Sequence, residues 1–235
     1  MFPNKNFDVK LLFSMFYFDN VYEKKILRSD FLSDINAFFT TRDGFDFKKL
    51  NSRRVLSPTQ THSDNVAFVN SATEYPNTDG LILTNSEDTI FLRFADCTPL
   101  IFYDKKQKIA AVSHAGWRGT AQRIGVKTIK KMQSNPNDII AVIGPAISIC
   151  CYEVSEEVKD TLLATVKQTD GLYENRNVDL KSINAQQLRE IGVQEIDICP
   201  YCTSCDNDLF YSYRKENGTR ERHMAVVGLT KGNNE

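Results

Sequence analysis

The chain of 235 residues carries 29 Lys and Arg against 30 Asp and Glu, so its formal net charge is -1. This balance excludes the broad basic field that nucleic acids and anionic membranes attract. With 41% hydrophobic and 25% charged residues, the composition is typical of a soluble globular protein. No apolar run reaches the roughly 20 residues that span a bilayer, and no signal peptide is evident. We therefore expect a cytoplasmic protein that binds neither nucleic acid nor membrane.

Short apolar runs bounded by turn residues predict a series of β-strands. In chain order they lie within 55–69, 81–83, 90–94, 100–103, 109–113, 139–143, 193–198, 210–213 and 224–229. Residues 1–30 mix short apolar runs with charges and predict strands or turns of an edge region. Asp79-Gly80 predicts a turn with positive φ, and Pro99 predicts a break in the sheet beside Cys97.

Helical patterns are interspersed among these strands. Gln122–Met132 has apolar residues at a helical spacing, Ser155 predicts the N-cap of a helix that ends near Lys167, and Asp179–Glu190 predicts another helix. Strands outnumber helices, and no internal linker is present. The pattern therefore predicts an α/β (α+β) fold with a mixed sheet, in a single domain that covers residues 1–235.

Three residues beside turns or kinks form a candidate metal site. His62 lies at a strand junction, Cys97 lies at the Asp96-Cys97-Thr98-Pro99 kink, and His114 ends the strand 109–113. Catalytic zinc takes three such ligands and keeps a fourth position open. The spacings exceed those of a zinc finger, but they suit ligands at the ends of separate strands. A cysteine hydrolase, with Cys97 as nucleophile and His114 as base, is the alternative.

A second group of cysteines competes as a metal site. Cys199, Cys202 and Cys205 form two overlapping C-x-x-C spacings, which are typical of structural zinc or a redox pair. A complete set of four ligands needs the adjacent pair Cys150-Cys151, and adjacent cysteines are expected to chelate one metal poorly. Packing is therefore favoured over structural zinc for this group.

Arginines beside glycine or aromatic turns are candidates for binding an anion, because the planar guanidinium matches phosphate and carboxylate. Arg42, Arg118 and Arg222 are the predicted substrate or phosphate ligands, with Arg214 and Arg220 in similar settings. Arg118 is favoured by its position four residues after His114 and beside a helix start.

Several motifs together resemble those of one family, the multicopper polyphenol oxidase (laccase-like) proteins, which are also described as purine nucleoside phosphorylases and linked to peptidoglycan editing. The motifs occur in the family's order over about residues 36–229. They lie at 60–66, 78–81, 95–100, 114–119, 143–154, 179–181, 202–203 and 212–214. No single motif carries the match, so it is specific.

The resemblance implies a single domain of layered mixed sheets flanked by helices, with a metal bound by His62, Cys97 and His114. It also implies zinc-dependent phosphorolysis of adenosine, inosine and S-methyl-5'-thioadenosine, with purine nucleosides and phosphate as substrates, and deamination of adenosine. The alternatives are copper-dependent oxidation of phenols and editing of peptidoglycan precursors. Three histidines in the chain are too few for an ordinary multicopper centre.

The chain departs from the family pattern at two places. Only 17 residues separate Gly44 from His62, where the family has a longer glycine-rich segment, so we expect one shortened pocket wall. Near the C-terminus, Arg220-Glu221-Arg222 stands where the family has Thr-Gly-Arg. The sequence therefore leaves both Arg220 and Arg222 as candidates for the position of the family's arginine.

Overall fold

A computed structural model describes residues 15–229. The strands in this part of the chain are β1 (Phe16–Val21), β2 (Lys24–Ser29), β3 (Asn36–Thr40), β4 (Arg54–Leu56), β5 (Val66–Phe68), β6 (Gly80–Leu83), β7 (Asp88–Phe94), β8 (Thr98–Asp104), β9 (Ile109–Ala115), β10 (Ile139–Ile143), β11 (Tyr173–Glu174), β12 (Asn177–Val178), β13 (Glu195–Ile198) and β14 (His223–Gly228). The α-helices are α1 (Trp117–Ala121), α2 (Ile124–Met132), α3 (Glu156–Leu163) and α4 (Leu180–Glu190). Short 3-10 turns occur at Asp30–Leu32, Phe47–Lys49 and Pro136–Asp138.

Two mixed sheets form the described part of the molecule. The first sheet has the order β1-β2-β3-β14-β7-β4, in which β4 and β7 are parallel and the other neighbours are antiparallel. The second sheet has the order β13-β10-β8-β9-β6-β5, with parallel pairs at each edge. The small ribbon β11-β12 is antiparallel. This architecture confirms the predicted α/β class with layered mixed sheets.

The main core lies between the two sheets because alternate residues of each strand face inward. Leu92 and Phe94 of β7 pack there against Ile101 of β8 and Val112 of β9. Residues of the opposite parity, such as Phe102, pack outward against α2 and α4. Burial of this apolar surface, at about 25 cal/mol per Å², holds the layers together.

The helices follow the predicted segments, with one break. Ser155 caps α3 by accepting from the amide of Val158, and Asp179 caps α4 by accepting from Ser182. The segment predicted as one helix from residue 122 begins instead at α2, since Arg123 adopts a left-handed φ of 58° between α1 and α2. None of the helices between residues 15 and 229 has the length and apolar composition needed to cross a bilayer.

Two local predictions are wrong. Pro99 lies inside β8, paired with His114, and its carbonyl accepts from Gly144; the strand tolerates proline because it sits next to the strand start. Residues 210–213 form no strand. The Phe210 side chain is buried in the core, and its amide donates to the carbonyl of Asp206 in a turn instead of to a neighbouring strand. The edge region predicted at 1–30 is confirmed from residue 16 onward, because β1 is an edge strand of the first sheet and β2 is its neighbour. Residues 1–14 lie outside the described part.

The turn predicted at Asp79-Gly80 also differs. The positive φ, 46°, belongs to Asn77, whereas Gly80 starts β6. A Cβ on Gly80 would lie 2.9 Å from the Ser113 hydroxyl. The glycine is therefore explained by the close approach of β6 to β9.

Substitution of Gly144, directly after β10, tests the packing of the sheets. An added Cβ would lie 2.3 Å from Cε1 of Phe39, whose ring is buried and cannot move aside. We expect Gly144→Ala to lower the free energy of unfolding by about 1–3 kcal/mol, measured by urea denaturation. Phe39→Leu in the same background should recover part of the loss, and strict additivity in this double-mutant cycle would contradict the explanation.

Candidate metal centre

The three predicted ligands meet where the chain passes between the two sheets. His62 lies in the loop that joins β4 of the first sheet to β5 of the second, and Cys97 lies in the segment that joins β7 to β8. His114 lies near the end of β9. One ligand atom from each residue falls within 4.8 Å of the other two. The structure thus brings together all three residues, from sequence separations of 35 and 17.

Strand register explains the position of His114. It follows Ala110 and Val112 on the inward face of β9, and its ring lies 5.3 Å from that of Phe94. The backbone beside the other two ligands is unusual, since His62 has a φ of 60° and Asp96 a φ of 83°. Left-handed conformations at residues other than glycine are uncommon and are concentrated at functional sites.

Asp79 holds two of the ligands in place. Its buried carboxylate accepts from the amides of Thr61, His62 and Ser63 and from the Ser63 hydroxyl, at 2.7 to 3.1 Å. The same group lies 2.8 Å from Nδ1 of His114. Burial raises the pKa of Asp79, but these bonds hold it well below its usual range. The carboxylate is therefore ionised, Nδ1 of His114 carries the proton, and Nε2 is left to bind a metal.

Asp96 anchors the segment that carries Cys97. Its carboxylate accepts from the hydroxyl of Thr203 and the amide of Arg214, each at 2.7 Å. Its carbonyl accepts from the amide of Ile147 at 3.0 Å. Three separate loops are thereby tied to one residue next to a ligand.

The electrostatics of the site favour a negative sulfur beside a positive charge. Burial raises the pKa of the Cys97 thiol, but the rings of His114 and His62 offset this effect, and the pKa falls to about 6. Burial lowers the pKa of His114, whereas the Cys97 thiolate and Asp79 raise it to about 9. A bound cation would take the place of the imidazolium proton as the partner of the thiolate.

The residues fit a metal ion. One thiolate and two imidazoles are the donor set of a catalytic zinc site with an open fourth position. Gly116 leaves room beside them, because a Cβ there would lie 3.0 Å from Sγ of Cys97 and 3.3 Å from Cδ2 of His62. His62 is exposed and His114 is buried, so the cluster is open to solvent on the side of His62.

That side opens into a pocket of about 860 Å³. The lining contains the three ligands, two tyrosines and several arginines, namely Tyr152, Tyr213, Arg93, Arg214, Arg220 and Arg222. Among the described lining residues Asp96 is the one acid, and its two oxygens already accept hydrogen bonds. The pocket is therefore positively charged around the ligand cluster.

The three predicted anion-binding arginines have different positions. Arg222 lines the pocket, and its guanidinium donates to the carbonyls of Thr219 and Glu221. Arg118 borders a smaller cavity of about 160 Å³ against His62 and Cys97. Arg42 does not line either cavity, because its guanidinium pairs with Glu216 and donates to the carbonyl of Asn207.

Several pocket residues escaped the sequence reasoning. Tyr152 and Gln60 lie within the family motifs 143–154 and 60–66, so these motifs indicate the two segments but not the roles of these two residues. Asp79, which lies behind the ligands and does not line the pocket, is predicted from the sequence only as a turn residue within the motif 78–81. Arg93 occupies an outward position of β7 and exchanges two backbone bonds with the Gln60 side chain, and no local pattern marks it.

The remaining candidate residues lie elsewhere. His223 is fully buried between Phe94 and Phe210, and burial lowers its pKa to about 3, so its ring is neutral. Cys199 is buried in the main core, apart from Cys202 and Cys205. Cys199 and Cys202, which form the first C-x-x-C, therefore do not bind one metal together.

The fold and site belong to a recognisable class. The chain is a member of the multi-copper polyphenol oxidoreductase laccase family, whose model matches residues 41–230. It is 37% identical over 192 residues to purine nucleoside phosphorylase YlmD of Bacillus subtilis (strain 168), covering 72% of this chain and 69% of that protein. Purine nucleoside phosphorylase CA_C1699 of Clostridium acetobutylicum is 31% identical over 174 residues, covering 72% and 74%. The crystal structure of YlmD from Geobacillus stearothermophilus has a TM-score of 0.81 at 27% identity, covering 93% of this chain and 100% of that chain.

Replacing the carboxylate that orients the ligands should weaken metal binding. We expect Asp79→Asn to reduce affinity by about 10- to 100-fold, because an amide cannot accept all the bonds that Asp79 accepts. Competition with a chelator measures the change. Asp104→Asn is the matched control, since Asp104 is also buried and accepts from two amides, at the far end of the β8-β9 hairpin. Equal affinities of the two variants would contradict the assigned role.

Proposed function

We propose that the protein is a zinc-dependent purine nucleoside phosphorylase. The observation that carries the proposal is the placement of His62, Cys97 and His114 against an arginine-lined pocket. Relatives that bear the name purine nucleoside phosphorylase support it. Adenosine, inosine and S-methyl-5'-thioadenosine are the proposed nucleosides, with phosphate as the second substrate and ribose 1-phosphate, or its methylthio analogue, and the free base as products.

The metal would be held by the two histidines and Cys97. When bound, it supplies a Lewis acid that polarises oxygen. Nitrogen and thiolate donors suit zinc, and they also suit copper, the alternative cofactor. Because Cys97 must remain a thiol or thiolate to act as a ligand, the proposal also places the protein in a reducing compartment such as the cytoplasm.

The arginines of the pocket are suited to hold phosphate. Arg214, Arg220 and Arg222 each present a cation to a lining with little negative charge. Phosphate held by such groups attacks the anomeric carbon as the bond to the purine breaks, and fixed cations stabilise the charge that develops. Holding both substrates in one pocket in the correct orientation also lowers the entropic part of the activation barrier.

The tyrosines supply surfaces for the purine. Tyr213 is 56% exposed at the pocket, so its ring is available for stacking on a base. Burial raises the pKa of Tyr152 to about 12, so its hydroxyl remains a hydrogen-bond donor at neutral pH. Deamination of adenosine is proposed as a second activity of the same pocket, in which water attacks C6 of the purine and ammonia leaves, so that inosine forms with its glycosidic bond intact.

Loss of a ligand should remove both metal and activity. We expect Cys97→Ser and His114→Ala to lose the zinc of this centre. Both variants should also lose the phosphate-dependent release of hypoxanthine from inosine, which chromatography measures. The control is Cys199→Ala, which removes a thiol outside the ligand cluster. Full phosphorolysis by a Cys97→Ser variant that lacks the zinc of this centre would refute the proposal. Phosphate-independent oxidation of a phenol by copper-loaded protein would favour the oxidase instead.

An arginine of the pocket should contribute to phosphate binding. We expect Arg222→Ala to lower kcat/KM for phosphate by about 10²- to 10³-fold, the usual effect of removing one charge-stabilising donor. Arg189→Ala, at the exposed end of α4 and outside the pocket lining, should leave it unchanged. Arg222→Lys keeps the charge and should recover part of the loss. An unaltered phosphate dependence in Arg222→Ala would show that this arginine does not bind phosphate.

A further inference from the structure

A second group of four thiols lies outside the site described above. The sulfur atoms of Cys150, Cys151, Cys202 and Cys205 all fall within 4.8 Å of one another. Cys205 Sγ is 3.5 Å from the sulfur of Cys150 and 3.5 Å from that of Cys151. All four cysteines are free thiols. The other cysteines of the chain, Cys97 and Cys199, belong to the metal centre and to the core.

The sheet explains why these residues meet. β10 and β13 are parallel neighbours, and Ile143 is in register with Ile198 at their ends. The segments that follow these strands therefore leave the sheet at the same edge. A bridge between Ala146 and Cys202 continues the pairing beyond the strands, and the amide of Thr203 donates to the carbonyl of Ala146.

Local turns direct the side chains of both segments toward one point. The amides of Cys151 and Tyr152 both donate to the carbonyl of Ser148, at 2.9 and 3.0 Å, which closes the turn that carries Cys150 and Cys151. In the second segment the amide of Asp206 donates to the carbonyl of Cys202 at 2.7 Å. Adjacent cysteines, which are expected to chelate one metal poorly, are brought together here by a turn that places both sulfurs beside Cys205.

The spacing of the sulfurs matches a single tetrahedral ion. Zinc–sulfur bonds of about 2.3 Å in a tetrahedron require sulfur–sulfur distances of about 3.8 Å. Two of the sulfur–sulfur distances are 3.5 Å and all of them lie within 4.8 Å, so the four sulfurs are close to this arrangement. The amide of Ser148 also donates to the sulfur of Cys202 at 3.3 Å, a contact that favours thiolate. Four thiolates without an open position are typical of structural zinc.

We propose that Cys150, Cys151, Cys202 and Cys205 bind a structural zinc ion, separate from the centre at His62, Cys97 and His114. The ion joins the segment after β10 to the segment after β13. These two segments hold Asp96 through the amide of Ile147 and the hydroxyl of Thr203, and the first also carries Tyr152 of the pocket wall. The structural ion thereby fixes the support on which Cys97 rests.

Metal analysis of the full chain separates the two sites. The protein is purified under reducing conditions with zinc and without chelator, and its metal content is measured by mass spectrometry. We expect the unmodified chain to hold one zinc at each site. Cys205→Ser and Cys150→Ser should each lose one equivalent, Cys97→Ser should lose the other, and the Cys97→Ser/Cys205→Ser double variant should lose both. Cys199→Ser is the matched control and should lose neither.

X-ray absorption identifies the ligands. In Cys97→Ser, which keeps only the second site, we expect four sulfur neighbours at about 2.3 Å and no nitrogen shell. Because Cys150 and Cys205 are exposed, their substitution should disturb folding least. Release of zinc from the unmodified chain by a thiol reagent gives an independent count of the thiolate-bound zinc ions.

Some results would overturn the proposal. These are a zinc content in Cys205→Ser equal to that of the unmodified chain, a disulfide among the four thiols in freshly purified protein, or iron in place of zinc. The proposed phosphorolysis is judged separately, because it depends on the metal lost in Cys97→Ser and not on the metal count of Cys205→Ser.

Discussion

The carboxylate of Asp79 is the interaction on which the candidate site depends. It stands at the start of β6 in the second sheet, yet it satisfies the amides of a loop that arrives from the first sheet and the ring of His114. A buried charge is costly unless every lone pair is used, and here each use positions a ligand or its neighbour. The hydrogen bonds that compensate for the burial of this charge therefore also set the positions of His62 and His114.

The centre is built at the junction of two sheets and not on either one alone. Cys97 and His62 lie on connections between sheets, and His114 lies on the inner face of a strand. Each sheet contributes hydrophobic packing from strands of ordinary backbone conformation, whereas the connections between the sheets carry the left-handed backbone of His62 and Asp96. The uncommon backbone beside the candidate metal centre is thus carried by connections, whereas the strands supply the hydrophobic packing.

Sequence alone was sufficient where chemistry and local structure coincide. Each of the candidate ligands His62, Cys97 and His114 stands beside a turn-forming residue or a proline, which predicted the cluster, and the caps of α3 and α4 are visible as Ser155 and Asp179. It failed where distant segments decide the outcome. The approach of Cys150 and Cys151 to Cys202 follows from the parallel pairing of β10 and β13, and no local pattern encodes which strands are neighbours.

The position of β14 has a consequence for biosynthesis. This last described strand lies between β3 and β7, so the first sheet stays in two pieces until residue 228 has left the ribosome. Contacts of such high sequence separation form late and slow the search for the native state. Nascent chains therefore carry unpaired edges on β3 and β7 through most of translation, and Phe94 of β7 gains its partner His223 only at the end.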